Sequence, residues 1–283
     1  MTVLVTYHED FSNQGYPFLK YRLKPSFQAL QKLVSEKALP VKVIEPRVTE
    51  DIINLVDRIH NWRHIRDVQD SGYYEVSLLS VASVVQAAEL LSIDRTYSSG
   101  FAYVGAAGHH ASPMGFWGFC FLNDIAAAIT RLRDLGKDRF LILDVDPHFG
   151  DGTRAFFEKD KNVIHINIYT GNKDEIDLNL NNYDYGLPYN ANDDDFEVTL
   201  ERALSHSFDF DLMFIVFGHD SHISDYGGFA FSDAVYPILA NKVKEYAAMR
   251  PHLWVLSGGS EIEVASRVIP AIIKVLAKDT KGK

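Results

Sequence analysis

The strongest constraint on this 283-residue chain is the alternation of short apolar runs with longer amphipathic segments. Apolar runs stand at 3–6, 41–44, 101–104, 140–143, 163–168, 212–217 and 253–256. They are rich in β-branched, aromatic or Leu residues and do not alternate with polar ones, which predicts strands covered on both faces. Helix-like segments lie between them, at roughly 26–36, 50–67, 77–92, 122–135, 152–159, 194–207, 231–248 and 262–277. Strand followed by helix, repeated, predicts an α/β fold: a three-layer αβα sandwich around a central, mostly parallel sheet. No Pro-, Gly- or Ser-rich linker and no internal repeat divides the chain, so a single domain over 1–283 is expected, with residues 278–283 as a frayed polar tail. The longest stretch without a regular pattern, 169–192, is expected to be a functional or mobile loop.

Composition narrows the partners. Lys and Arg total 28 against 38 for Asp and Glu, a formal net charge of −10. Nucleic acid is therefore not expected as a partner, because phosphate binding needs a basic face. An acidic rim would instead attract a cationic substrate. The single cysteine, Cys120, excludes an intrachain disulfide and fits a reducing compartment. The opening MTVLVTYHED has no basic region and too short an apolar run for a signal peptide. No stretch reads as the ~18 apolar residues of a membrane span. A cytoplasmic protein with no membrane partner is expected.

In open α/β sheets, ligands bind beyond the carboxyl ends of the strands. Four strand ends here carry His, Asp and Gly together: GAAGHHASPMGFWGFC, DVDPHFGDG, GHDSHISD and SGGSE. Asp146 and His148 stand two residues apart, which in extended chain points both side chains to one side. Carboxylate and imidazole suit a borderline divalent ion, and a catalytic site needs a third protein ligand plus an open position. Asp220, after a different buried strand, is the best third ligand. One strand-end Asp most often caps a helix or turn; three ligands beside a histidine pair favour a metal site. His109 and His110 have the tunable basicity for acid and base work. Asp144 and Asp151 are placed to fix their tautomers.

GHHASPMGFWGFCFLND (108–124) and DVDPHFGDGT (144–153) resemble the histone deacetylase and acetylpolyamine amidohydrolase family, of arginase/deacetylase fold. GHDSHISD (218–225) is similar to the family's third ligand segment and SGGS (257–260) to its glycine-rich loop. Residues 45–68 are similar, more loosely, to an early helical region. The resemblance implies that Asp146, His148 and Asp220 bind Zn2+, or another divalent ion such as Fe2+ or Co2+. It implies His109 as the inner histidine backed by Asp144, and His110 as its partner backed by Asp151. The reaction implied is hydrolysis of a small acylated amine or acyl-lysine by metal-activated water. Gly118 and Phe119, with Tyr169 opposite, would wall a narrow substrate channel. A structural K+ or Na+ would sit near the backbone of Asp144, Asp146 and His148, where Val163 takes the place of a family serine.

The sequence also departs from that pattern. The family loop ends in a tyrosine whose hydroxyl stabilises the tetrahedral oxyanion. Here the loop reads Leu256-Ser257-Gly258-Gly259-Ser260-Glu261, which sets Ser260, or on a one-residue shift Glu261, at that position. Phe149 replaces a second histidine, and Ala106-Ala107 replace an Arg- and Pro-rich lead-in. The lost tyrosine keeps open a pseudo-deacetylase that binds metal and acylated ligands with little turnover. A two-manganese hydrolase of guanidino groups is a third reading, which His148 and the histidine pair disfavour. His219 is expected to point away from Asp220, and His222 stands near enough to line the pocket. Cys120 reads as a buried small hydrophobe, and Asp193–Asp195 as the cap of the next helix.

Overall fold

The computed structural model describes residues 2–278. The expected polar tail therefore lies, apart from Lys278, outside the described residues. Among the described residues, nine strands form one sheet: β1 (Thr2–Thr6), β2 (Val41–Ile44), β3 (Tyr97–Ala102), β4 (Phe140–Asp144), β5 (Val163–Thr170), β6 (Glu175–Asp177), β7 (Asn182–Leu187), β8 (Leu212–Phe217) and β9 (His252–Leu256). Their spatial order is β2-β1-β3-β9-β8-β4-β5-β7-β6. Every pairing is parallel except β6 with β7. The four strands whose ends carry the His, Asp and Gly clusters are β3, β9, β8 and β4. They are consecutive neighbours at the centre of the sheet.

Burial explains these elements. Strands β4, β8 and β9 read FLILD, LMFIVF and HLWVL, and every residue in them is buried. Each fully buried Leu, Ile, Val or Phe contributes on the order of 1.5–3 kcal/mol. The helices Leu23–Lys37 and Ile262–Leu276 pack together in one outer layer, and Tyr74–Ile93 packs on Asp124–Asp134 in the other. Tyr74–Ile93 is long and apolar enough by composition to cross a membrane, which the sequence reading did not register; 72% of its apolar window is buried in the core. That burial accounts for its composition.

The structure differs from expectation at the edges. Strand β2 lies at a sheet edge with its residues exposed or half-buried, so it is not covered on both faces. The segment 50–67 is two helices, Glu50–Ile59 and Trp62–Ser71, broken where Asn61 caps the second by accepting from Arg63 N. The irregular stretch 169–192 contains the β6–β7 hairpin, and β7 extends the parallel sheet beside β5.

Candidate active site

The site begins where β4 ends. Asp144 is the last strand residue, opposite Val216 of β8 and Asn167 of β5. Beyond it the chain bends. Asp146 N donates to Asp144 Oδ1 at 3.1 Å and His148 N donates to Asp146 Oδ1 at 3.0 Å. These turns, closed by side-chain carboxylates, bring Asp146 and His148 together. Extended geometry, the basis of the sequence argument, is not how the pair forms. His148 Nδ1 lies 2.9 Å from Asp146 Oδ1 and 3.3 Å from Asp220 Oδ2. Asp220 follows β8 in a short 3₁₀ turn (His219–Ser221) and is fully buried.

One ligand atom from each of Asp146, His148 and Asp220 falls within a 4.8 Å cluster. Neither carboxylate oxygen of Asp220 finds a hydrogen bond of acceptable geometry, His148 being near but misaligned. A buried carboxylate without partners is costly unless a cation satisfies it. The donor set of two carboxylates and one imidazole therefore fits a divalent ion. Burial pulls the His148 imidazolium down, but its contacts with Asp146 and Asp220 outweigh that and hold it protonated. Burial and the neighbouring Asp146 charge push the Asp220 carboxyl up. An ion entering this cluster takes over the charge compensation that the His148 proton supplies without it.

The histidine pair lies on the loop that follows β3. His109 Nδ1 is 3.0 Å from Asp144 Oδ2, and His110 Nδ1 is 2.6 Å from Asp151 Oδ1. Asp151 opens the helix Asp151–Phe157, a favourable place for a carboxylate. The loop is held by Asn123, whose Oδ1 caps the helix Asp124–Asp134 by accepting from Ala126 N at 2.8 Å. The Asn123 amide donates to the Gly108 and Ala111 carbonyls and to Thr153 Oγ1. Trp117 stacks on His110 with centroids 3.8 Å apart, and its indole Nε1 donates to Asp151 Oδ2 at 2.9 Å. Gly118 is required beside this pair: its φ is +58°, and a Cβ there would stand 2.5 Å from His110 Cδ2. The two imidazoles are shifted in opposite directions. Burial lowers His109, but the Asp146 and Asp144 carboxylates outweigh it and carry it to about 9. Burial, then the charge on His109, drives His110 down.

A profile of the histone deacetylase domain matches residues 20–276. The chain belongs to the histone deacetylase family. It is 29% identical to Histone deacetylase 5 of Arabidopsis thaliana over 315 residues, covering 96% of this chain and 47% of that protein. It is 32% identical to the acetylpolyamine amidohydrolase of Mycoplana ramosa over 132 residues, covering 47% of this chain and 38% of that one. The chain thus spans under half the length of these curated relatives. A crystal structure of the HDA15 HD domain superposes with a TM-score of 0.80 at 22% identity, covering 99% of this chain and 89% of that one, which shows the shared fold.

In this histone deacetylase family member, the structure gathers His109, His110, Asp146, His148, Asp220, Gly118, Phe119 and Gly258 around one cavity of about 250 Å³. Asp144 and Asp151 stand behind the histidines, as the sequence indicated. Three expected lining residues are elsewhere. Tyr169 packs edge-on against Phe149 at 5.1 Å and is not among the cavity's lining residues. Ser260 is drawn off by Asp225, which accepts from its backbone N and its Oγ. Glu261 is exposed, with its N also donating to Asp225. Val163 pairs with Phe140 at the far end of β5; the residue beside Asp144 is Asn167, whose Oδ1 accepts from Gly150 N. His222 faces Asp233 at 3.1 Å, and His219 lies 3.0 Å from Asp225. Cys120 is buried against Leu19, Ala107 and Ala111. The cavity's opposite aromatic is Tyr226, which sequence reasoning missed. The available signal was its place one residue after the third ligand segment.

Proposed function

We propose that this protein hydrolyses small acylated amines or acyl-lysines, using a divalent ion held by Asp146, His148 and Asp220. The carrying observation is the convergence of that ligand cluster, in which the buried Asp220 carboxylate has no hydrogen bond, with two carboxylate-backed imidazoles in a single cavity. Zn2+ suits the donor set, and Fe2+ or Co2+ would be accepted by the same atoms. When bound, the ion supplies Lewis-acid polarisation of the acyl carbonyl and lowers the pKa of water.

The protein's own groups then handle the protons. One imidazole of the pair acts free, as the base, and the other protonated, as the acid; burial lowers both, and the Asp146 and Asp144 carboxylates oppose it at His109. A water oxygen bonds to the acyl carbon and its proton passes to the free imidazole. The C–N bond breaks, and the nitrogen takes a proton from the protonated imidazole. The products are a carboxylate and a free amine. Asp144 and Asp151 fix which ring nitrogens face the reaction. Leu19, Phe119 and Trp117 give the cavity apolar walls suited to an alkyl stem.

The test is direct. Metal-loaded protein is offered a panel of N-acetyl and longer N-acyl diamines and acyl-lysine peptides, and released carboxylate is measured. Turnover of at least one member is expected, with Asp146→Ala losing both the metal and the turnover. Silence across the panel at full metal occupancy would sink the reading and leave a metal-containing binder.

A further inference from the structure

We propose that the Tyr226 hydroxyl is the hydrogen-bond donor to the acyl oxygen that gains negative charge as the acyl carbon becomes tetrahedral. The proposal rests on the hydrolase reading above. Hydrolysis of an amide concentrates charge on that oxygen, and a neutral donor aimed at it is among the largest contributions a site can make.

The Tyr226 ring stands beside His148 of the ligand cluster. It lines the same cavity as the ligand cluster and the histidine pair. His148 has two ring neighbours there, His110 at 6.1 Å and Tyr226 at 6.0 Å. The Tyr226 hydroxyl accepts from Gly259 N at 3.0 Å. Among the described residues that is its sole hydrogen bond, so its own proton is uncommitted. A phenol, with an ordinary pKa of about 10, is a neutral donor at neutral pH.

The placement is rigid. Tyr226 is bound at its hydroxyl by the loop after β9, and its neighbour Asp225 accepts from Ser260 N, Ser260 Oγ and Glu261 N of the same loop. From below, the buried Arg22 guanidinium donates to the Ser257 and Gly258 carbonyls. Phe18 packs on the Tyr226 ring at 5.1 Å. Preorganisation of this kind lets a donor act without reorganisation during the reaction. The same bonds commit Ser260 to Asp225, so the loop after β9 supports the donor without supplying it.

Tyr226→Phe keeps the ring and removes the hydroxyl. With metal content matched to wild type, kcat should fall roughly 10²–10³-fold while KM changes little. Binding of a trifluoromethyl ketone on the substrate's stem, which hydrates to a tetrahedral diol, should weaken by the same factor. Binding of the uncleaved amide should not. A kcat within a few-fold of wild type, or equal weakening of amide and ketone, overturns the assignment. Wild-type protein that binds the ketone but turns over no acylamine overturns the hydrolase reading; the ketone comparison between wild type and Tyr226→Phe then still decides the tyrosine. Protein that does neither overturns both.

Discussion

The two walls of the cavity are built in opposite ways. One wall, His109, His110, Asp144, Asp151 and Trp117, comes from two contiguous segments with each polar group paired at 2.6–3.0 Å. The other joins Tyr226, Gly258, Gly259 and Arg22, which arrive from three distant stretches and meet only through backbone groups. A wall made of side-chain pairs tunes proton affinity, because each carboxylate acts directly on an imidazole. A wall made of backbone contacts tunes position. Substitutions should separate the two functions.

The largest expected effect lies on the first wall. His109→Ala should lower kcat by about 10²–10⁴-fold with the metal retained, as elemental analysis would check. Loss of the metal along with the activity would mean that the two walls are not separable.

The glycines offer a sharper contrast. A Cβ on Gly258 would stand 2.2 Å from Asp220 Oδ2, so Gly258→Ala must displace a ligand. Metal affinity should drop on the order of 10–100-fold, as for disturbed outer-shell contacts. Gly118→Ala, which crowds His110 instead, should leave that affinity unchanged while lowering kcat. Competitive titration with a metal-binding dye measures both variants, and equal affinity losses would break the distinction.

The same contrast explains what the sequence revealed. The central strands and the first wall, Trp117 apart, were legible because each is local: an apolar run, a histidine pair, a DxDPH segment. The hairpin β6–β7 was not, because β7 carries buried polar residues where an apolar run was sought. Asp184 is there to receive Arg154 at 2.9 and 2.6 Å and Asn167 at 3.1 Å, a tertiary requirement without a local pattern. Tyr226 escaped notice for a related reason. The family resemblance sets Ser260 or Glu261, in the loop after β9, at the position of the lost tyrosine, and neither replaces it. The tyrosine that lines the cavity belongs instead to the loop after β8, and only the packing of the two loops shows it.

Trp117 carries the smallest prediction and tests the first wall most finely. Its indole does two things: it stacks on His110 and it donates to Asp151 Oδ2, the oxygen that His110 does not use. Trp117→Phe keeps an aromatic face and removes the donor. A hydrogen bond to a carboxylate contributes about 1.5–3 kcal/mol, but this one is exposed and acts on His110 only through Asp151, so kcat should change by no more than roughly tenfold. Without the indole N–H, the Asp151 carboxylate presents more of its charge to His110 and favours the imidazolium. The pKa that His110 contributes to the rate profile should therefore move up, and the limb it governs should shift to higher pH. An unshifted profile with reduced kcat would assign Trp117 to packing alone.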